Sequence, residues 1–356
     1  MSDGGTEAGA PDDPWGRCTP PTWRQSGMDE SGSSGSLLTS LPDGRVLIGP
    51  GEGIYDPKTD TTQWIRKGFG PIYATATVLA DQRSVLIAGG GDSTTSSRYA
   101  CVLHLDRVAA GCVTVAPMLV DRAMHAAALL PDGRVVVVGG LDSASSSPDP
   151  PAEIYDPVID RWEIFVTPKR IGPTDGPYPQ EGGVFLLPDR RVFFLGWDSV
   201  AMWSPGSDSW HEAPTIPGWD PDFRAVNLGR AAPIGSDVYV SGVFSHTTNQ
   251  FNASTVYHAA TDEWSPLAFF PDSMIPWVVH DLGCGRVLAF GGTATGAMEM
   301  TYDPAANRWY QVPTPVQHVN RDVYSVELPD GRLLIARATM KSDEIDHFLI
   351  LTPNPL

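Results

Sequence analysis

The sequence predicts an all-β fold, a seven-bladed β-propeller with four antiparallel strands in each blade. Three observations support this prediction. A hydrophobic hairpin with a polar turn occurs seven times along the 356 residues, most copies continue into a glycine-rich loop, and five are followed by a second hairpin with two aromatic residues. Repeats of about 40 to 60 residues are typical of propeller blades, because a lone four-stranded sheet cannot bury both of its faces.

The clearest copy spans residues 126–162. Residues 126–140 form two apolar runs around a Pro-Asp-Gly turn, and residues 153–162 form the second hairpin. The first turn returns, intact or altered, at residues 41–45, 79–84, 187–191, 233–237, 282–286 and 328–332. The aromatic pair returns as Tyr55 with Trp64, Tyr155 with Trp162, Trp203 with Trp210, Tyr257 with Trp264 and Tyr302 with Trp309. Seven turns indicate seven blades.

The two ends of the repeat complement each other. The last unit lacks a closing tryptophan strand, whereas residues 18–23 supply such a strand with no hairpin before it. We therefore expect Trp23 to lie on the outer strand of the seventh blade, a closure that removes open sheet edges. Residues 1–17 are expected to form a flexible acidic tether, and residues 18–356 a single propeller domain. The expected blades are 36–68, 72–118, 123–168, 180–217, 228–271, 277–314, and 322–354 together with 18–25.

Gly139-Gly140, Tyr155-Asp156-Pro157 and Trp162 occur in an order that resembles the kelch motif. The resemblance covers roughly residues 18–354. The motifs are similar to those of bacterial, galactose-oxidase-like kelch propellers, and this chain resembles such a propeller without the C-terminal oxidase domain. The resemblance implies the propeller fold. It implies little about function, because kelch propellers serve as scaffolds, sugar enzymes and oxidase domains.

Four cysteines occur, and none has the spacing of a zinc site. Cys101 and Cys112 flank a short segment of the second blade's outer hairpin, where antiparallel pairing would bring them within disulfide reach. Cys18 and Cys284 are expected toward the same face and could form a second disulfide. The alternative is that all four are buried free thiols.

The charge balance narrows the choice of partners. The chain has 42 acidic and 24 basic residues, a net charge of −18. Repulsion from phosphates disfavours nucleic acid and anionic membrane surfaces, so a cationic partner or a neutral sugar is more compatible. The alternative is that the acidity only maintains solubility. We expect a monomer.

The expected disulfides favour an exported protein, whether secreted, periplasmic or lipid-anchored, whose leader is absent from this chain. The small, acidic and polar N-terminal stretch agrees with such a tether, although an ordinary cytoplasmic start is the alternative. No run of 18 apolar residues occurs, so no transmembrane segment is expected.

Chemistry is expected at the funnel face, where the loops between second and third strands and the links between blades converge. Four segments supply polar and aromatic side chains there: residues 120–125, 217–230, 269–280 and 316–324. The candidate catalytic residues are His125, Asp222, His280, His318 and Tyr324. The candidate ligand-binding residues are Arg122, Trp219, Arg224, Trp277 and Arg321.

These residues favour a binding or scaffold propeller that presents its funnel loops to a protein or glycan, with aromatic side chains as anchors. The alternative function is a small-sugar mutarotase or epimerase, in which tryptophan stacks on the sugar, arginine holds a carboxylate and histidine is the acid or base. The kelch family that this sequence resembles includes a sialic-acid mutarotase. Each candidate also has a structural alternative, because buried polar groups are usually hydrogen-bonded within the protein.

A more remote alternative is a copper radical oxidase relative that has lost its catalytic parts. Such oxidases need a tyrosine crosslinked to cysteine and a second tyrosine–histidine pair. The single Tyr-His dipeptide, Tyr257-His258, stands where other blades have Tyr-Asp, in an outer hairpin. Metal ligands must converge, so we expect no copper site and no cofactor.

Overall fold

The computed structural model describes most of the chain. The described residues are 13–27, 38–49, 53–65, 70–71, 73–91, 95–140, 150–167, 183–195, 200–205, 207–216, 231–245, 250–270, 274–293, 296–319, 325–340 and 347–354.

Seven antiparallel sheets form the seven blades of a propeller, as predicted. In blades 1 to 6 the strands follow chain order from the innermost to the outermost, and each blade takes the next strands along the chain. Blade 1 contains β2 (Leu38–Ser40), β3 (Val46–Ile48), β4 (Gly53–Asp56) and β5 (Thr61–Trp64). Blade 2 contains β6 (Thr75–Val78), β7 (Ser84–Ala88), β8 (Ala100–His104) and β9 (Val113–Thr114). Blade 3 contains β10 (Ala126–Leu129), β11 (Val135–Val138), β12 (Ala152–Asp156) and β13 (Arg161–Phe165).

The next three blades repeat this arrangement, and blade 5 gains a short fifth strand, β22, that pairs with β20. Blade 4 contains β14 (Val184–Leu186), β15 (Val192–Leu195), β16 (Val200–Ser204) and β17 (Ser209–Glu212). Blade 5 contains β18 (Ala231–Ile234), β19 (Asp237–Ser245), β20 (Gln250–His258), β21 (Glu263–Trp264) and β22 (Ala268–Phe269). Blade 6 contains β23 (Ile275–Asp281), β24 (Val287–Thr293), β25 (Gly296–Asp303) and β26 (Arg308–Val312).

The seventh blade closes the ring with strands from both ends of the chain. Its strands are β28 (Ser325–Glu327), β29 (Leu333–Met340), β30 (His347–Asn354) and the N-terminal β1 (Thr19–Gln25), with β27 (Val316–Val319) also paired to β29. Trp23 lies opposite Leu351 on the outermost strand, which confirms the predicted closure. β1 thereby covers the outer edge of β30, so both edges of β30 are paired.

The core is divided into seven hydrophobic clusters, one between each pair of neighbouring blades. The cluster that completes the ring packs Leu334 and Ile350 of blade 7 against Val46 and Ile48 of blade 1. Both faces of each sheet are therefore buried by its neighbours, which is the physical reason that a single blade could not fold alone.

The second hairpins share a polar contact that explains their spacing. In blade 3 the Tyr155 hydroxyl donates to Asp160 at 2.9 Å, and Asp160 has a φ of 51°. Asp and Asn tolerate this left-handed conformation better than other residues with a side chain. Four further blades have the same contact five residues along the chain: Tyr55 with Asp60, Trp203 with Asp208, Tyr257 with Asp262, and Tyr302 with Asn307.

Both disulfides are present. Cys101–Cys112 spans 5.7 Å between Cα atoms within blade 2, and Cys18–Cys284 spans 5.5 Å between the start of β1 and blade 6. No cysteine in the chain is free. Residues 13–17, which we included in the expected tether, contact blade 6: the Pro14 carbonyl accepts from Thr301, and Trp15 packs on the cluster between blades 6 and 7.

Helical structure within the described residues is restricted to one 3-10 turn, Val108–Ala110. No helix in that part of the chain is long and apolar enough to cross a bilayer.

Candidate functional site

Arg122 and His125 lie just before β10, at the funnel end of blade 3, as expected. Arg122 has no exposed surface. Its guanidinium donates to the carbonyls of Gly139 and Pro151, at 3.0 Å and 2.6 Å, and to Glu153 Oε1 at 2.7 Å. The charge of Arg122 therefore holds the loop between β11 and β12, and does not face the funnel.

Glu153 completes this arrangement from the third strand of blade 3. Its carboxylate also accepts from the backbone N–H groups of Leu119 and Val120, at 2.7 Å and 3.2 Å. Both side chains of the ion pair are fully buried. The pair joins the link between blades 2 and 3 to the sheet of blade 3. Removal of either partner would leave a buried charge without compensation.

His125 is fully buried between blades 2 and 3. Its Nε2 lies 2.9 Å from Thr75 Oγ1, at the start of blade 2, whereas its Nδ1 has no hydrogen-bond partner among the described residues. Burial, together with the positive charge of Arg122, holds the pKa of His125 well below its ordinary value. The imidazole is therefore neutral at physiological pH.

Two glycines make room for this histidine. A Cβ on Gly89 would come within 2.5 Å of His125 Cε1, and a Cβ on Gly140 within 2.5 Å of the Ala123 carbonyl oxygen. Both glycines have positive φ, 66° and 88°. Glycine is therefore needed at these two positions for two reasons: it leaves room for close packing at the funnel end, and it adopts a positive φ without strain.

His280 lies elsewhere, which corrects its expected place on the funnel face. It is the last residue but one of β23, whose chain runs from the funnel end to the opposite hairpin turn, so it lies near that turn. Its Nδ1 is 3.7 Å from Glu327 Oε2 in blade 7. Burial lowers the pKa of His280, and the charges of Glu327 and Asp281 partly offset this effect. His280 and His125 are therefore not brought together.

The remaining candidates fall where little is described. Trp277 belongs to β23 and His318 to β27, but their side chains lie outside the described part of the structure. Five further candidates lie wholly outside the described residues: Trp219, Asp222, Arg224, Arg321 and Tyr324. They remain predictions from the sequence.

Asp237, His258 and Ser265 form a hydrogen-bonded chain in blade 5 that the sequence did not indicate. His258 Nδ1 is 2.8 Å from Asp237 Oδ2, and His258 Nε2 is 2.8 Å from Ser265 Oγ. The order matches a Ser-His-Asp triad. However, the Ser265 N–H already donates to the Val256 carbonyl within the sheet. That amide is thus not free to stabilise an oxyanion, and the chain of contacts ties three strands together.

Glu299, on the third strand of blade 6, is the other buried acid that sequence reasoning missed. It is 1% exposed, and burial raises its pKa to about 7, although hydrogen bonds with Thr314 and Trp23 favour the charged form. The sequence contains a signal for both Glu153 and Glu299. Each is the single charged residue in a largely apolar run that ends at the tyrosine of the second hairpin, at residues 152–155 and 297–302. Their partners could not be identified, because these come from other blades or links.

Copper oxidase chemistry does not fit the described residues. All four cysteines are in disulfides, so none can form a thioether with tyrosine. The hydroxyl of Tyr257 donates to Asp262, and His258 bonds to Asp237 and Ser265 in an outer hairpin. No group of three or more potential metal ligands from His, Cys, Asp and Glu occurs in the described part of the chain.

Comparison with known proteins gives similarity in fold. No family model and no curated protein matches the chain. Among solved structures, the chain is similar to a fungal alcohol oxidase of the AA5 family, solved in complex with copper. The TM-score is 0.57 and the identity 15%, and the match covers 94% of this chain and 71% of the oxidase chain. At this identity the match shows a shared seven-bladed propeller architecture and nothing of the chemistry.

Proposed function

We propose that this propeller is a binding platform, which presents the loops at its funnel end to a protein or glycan and catalyses no reaction. The observation that carries the proposal is the burial of Arg122 and His125. These are the described funnel-end candidates with charge or acid–base chemistry, and both are bonded to the framework of blades 2 and 3. A site for chemistry needs such groups exposed to the substrate.

The composition supports a partner that is neutral or cationic. The net charge of −18 repels phosphate-rich ligands, whereas a neutral glycan or a basic protein surface meets no such barrier. The sequence resemblance to kelch propellers agrees with a scaffold role, and the finer assignment to that family is part of this proposal. The two disulfides are consistent with an extracellular or periplasmic location. We include export in the proposal.

The test is a thermal-unfolding and direct-binding screen of the purified chain against an array of neutral, sialylated and uronic-acid glycans. Binding that is lost in Arg224→Ala or Arg321→Ala, residues of the predicted funnel segments, would support the platform. The matched control is Arg45→Ala, in a hairpin turn at the opposite end of blade 1, where Arg45 pairs with Asp43. It should leave binding unchanged. At a ligand concentration one hundred times Kd, the free energy of unfolding should rise by about 2.7 kcal/mol.

Turnover would overturn the proposal. The decisive probe is the exchange between the anomers of sialic acid, followed by NMR with and without the protein. An unchanged exchange rate agrees with a platform. A rate that rises in proportion to protein concentration, and falls in Arg224→Ala or Arg321→Ala, would establish the mutarotase alternative instead.

A further inference from the structure

Blade 3 differs from the other blades on its outer surface. The turn between its third and fourth strands contains Val158 and Ile159, which are 89% and 61% exposed. The equivalent pairs elsewhere are polar or small: Lys58-Thr59 in blade 1, Ala260-Thr261 in blade 5 and Ala305-Ala306 in blade 6. The other blades provide an internal control, so the repeat itself does not require exposed aliphatic side chains at this turn.

The apolar surface continues along β13 and onto blade 2. Ile164 and Val166 are exposed, where blade 4 has Glu212 and Pro214 at the equivalent positions. Leu119, from the link between blades 2 and 3, is exposed beside them. A groove of about 510 Å³ runs there, lined by Leu119, the loop at 116–117 and residues 160–164. Ile159, in contrast, lines a second groove together with Arg161 and Glu163. Exposed apolar side chains concentrated on one part of a globular protein commonly mark an interaction site.

β13 is the outermost strand of its sheet, so one of its edges has no strand partner among the described residues. Its two faces differ. Trp162 and Ile164 alternate along the strand with Arg161 and Glu163, which are both exposed and also line a second, smaller groove. A strand that added to this edge would place apolar side chains on one face and charged side chains on the other.

The Arg161-Trp162-Glu163 sequence is complementary to itself. In an antiparallel pairing of two copies centred on Trp162, Arg161 of each copy lies directly opposite Glu163 of the other. A pairing centred on Glu163 or on Arg161 would instead oppose like charges, which is destabilising. Charge therefore selects one register, and in that register Ile164 of one copy lies diagonally beside Trp162 of the other.

We propose that two copies of this chain associate through β13, in a twofold antiparallel pairing that joins the two blade 3 sheets and covers the aliphatic patch. Such an interface is isologous, with the same residues contributed by each copy. It consists of one strand edge and its flanking side chains, a small contact, so the dimer should dissociate in the range of about 1 to 100 μM. This departs from the monomer that the sequence led us to expect.

Sedimentation velocity over that concentration range tests the proposal. Wild type should shift from monomer to dimer, and Arg161→Glu or Glu163→Arg should each raise the dissociation constant at least about tenfold, since each places like charges opposite one another. The exchange variant Arg161→Glu/Glu163→Arg should restore the dimer, because it restores both pairs. Within one chain Arg161 Nε also lies 3.5 Å from Glu163 Oε1, so the circular dichroism of each single variant must match that of wild type before its loss of the dimer is assigned to the interface.

Two further variants locate the surface. Val158→Lys/Ile159→Thr gives blade 3 the turn residues of blade 1 and should weaken the dimer. Glu263→Arg, the matched charge reversal on the outer strand of blade 5, should have no effect. The proposal is overturned if wild type remains monomeric throughout, if the exchange variant fails to recover the dimer, or if Glu263→Arg acts as strongly as Arg161→Glu.

Discussion

Two interfaces between blades bury a glutamate on a third strand, and they treat its charge differently. Between blades 2 and 3, Glu153 is bonded to Arg122 and to two backbone N–H groups. Between blades 6 and 7, Glu299 meets only the neutral donors Trp23 and Thr314, and its Oε2 has no hydrogen-bond partner among the described residues. The first carboxylate has a cation beside it, and the second has none among the residues that the structure describes.

The difference shows how a repeat fold varies the chemistry of equivalent interfaces. A buried carboxylate keeps its charge when a paired cation offsets the cost of desolvation, and otherwise it takes up a proton. The interface of blades 2 and 3 is thus held by an ion pair. At the interface of blades 6 and 7, burial raises the pKa of Glu299 to about 7. Cys18–Cys284 and the contacts of residues 13–15 with blade 6 reinforce this interface.

The largest expected effect comes from breaking the ion pair. Arg122→Ala leaves Glu153 buried without a cation and removes donors from two loop carbonyls, so the free energy of unfolding should fall by about 3 to 5 kcal/mol. Urea denaturation measures the change. Arg134→Ala, which removes an exposed pair with Asp132, is the control and should cost no more than about 1 kcal/mol. If Arg122→Ala and Arg134→Ala lowered the free energy of unfolding equally, burial would not determine how much the Arg122–Glu153 pair stabilises the fold.

Ring closure gives the next effect. Cys18 and Cys284 are 266 residues apart, whereas Cys101 and Cys112 are 11 apart. A longer closed loop restricts the unfolded chain more, so Cys18→Ala/Cys284→Ala should cost about 4 kcal/mol. Cys101→Ala/Cys112→Ala should cost less by roughly 2 to 3 kcal/mol, because its closed loop is much shorter. Denaturation under non-reducing conditions compares the two variants, and a larger cost for the short loop would be inconsistent with this account.

Glu299 should make stability depend on pH. Its folded-state pKa is about 7, above the value of 4.5 for an unperturbed glutamate. Between these values the folded state retains a proton that the unfolded chain releases, so this group's contribution to stability falls as pH rises through that window. Glu299→Gln removes this loss, so the stability of the variant relative to wild type should improve by on the order of 3 kcal/mol between pH 4 and pH 8.

The control for that titration is Val158→Thr, an exposed substitution that neither adds nor removes a titratable group. Its stability relative to wild type should stay constant across the same pH series. If Glu299→Gln also shows no pH dependence, the carboxyl group of Glu299 does not bind the extra proton that this account assigns to it.

The smallest expected effect concerns the tryptophans that reach the preceding blade. Trp162 Nε1 donates to the Ala116 carbonyl at 2.7 Å, and Trp264 Nε1 donates to the Pro214 carbonyl at 2.7 Å. Replacement by phenylalanine keeps most of the packing and removes the donor. Trp162→Phe should therefore cost about 1 kcal/mol, and Trp264→Phe, whose bond is more exposed, should cost less. Equal losses at the two sites would show that burial does not set the value of this contact.

Much of the fold could be predicted, because its determinants are local. The Pro-Asp-Gly turns, the aromatic pairs and the lone strand around Trp23 each lie in a few consecutive residues, and together they indicate seven blades and a closed ring. Both disulfides could be proposed in the same way. Sequence reasoning could not tell whether Arg122 binds a ligand or holds the framework. Its partner Glu153 lies 31 residues away, and the carbonyls that accept from Arg122 belong to another loop. Contacts between blades depend on packing that no local pattern encodes.

Arg122 and Glu153 hold the link between blades 2 and 3 to the sheet of blade 3. A double-mutant cycle of Arg122→Met and Glu153→Leu, followed by urea denaturation, tests this structural role most directly. We expect each single variant to be destabilised and the double variant to lose less than their sum, with a coupling energy of about 1 to 3 kcal/mol. Single variants that remain within about 0.5 kcal/mol of wild type, and losses that simply add, would contradict the claim.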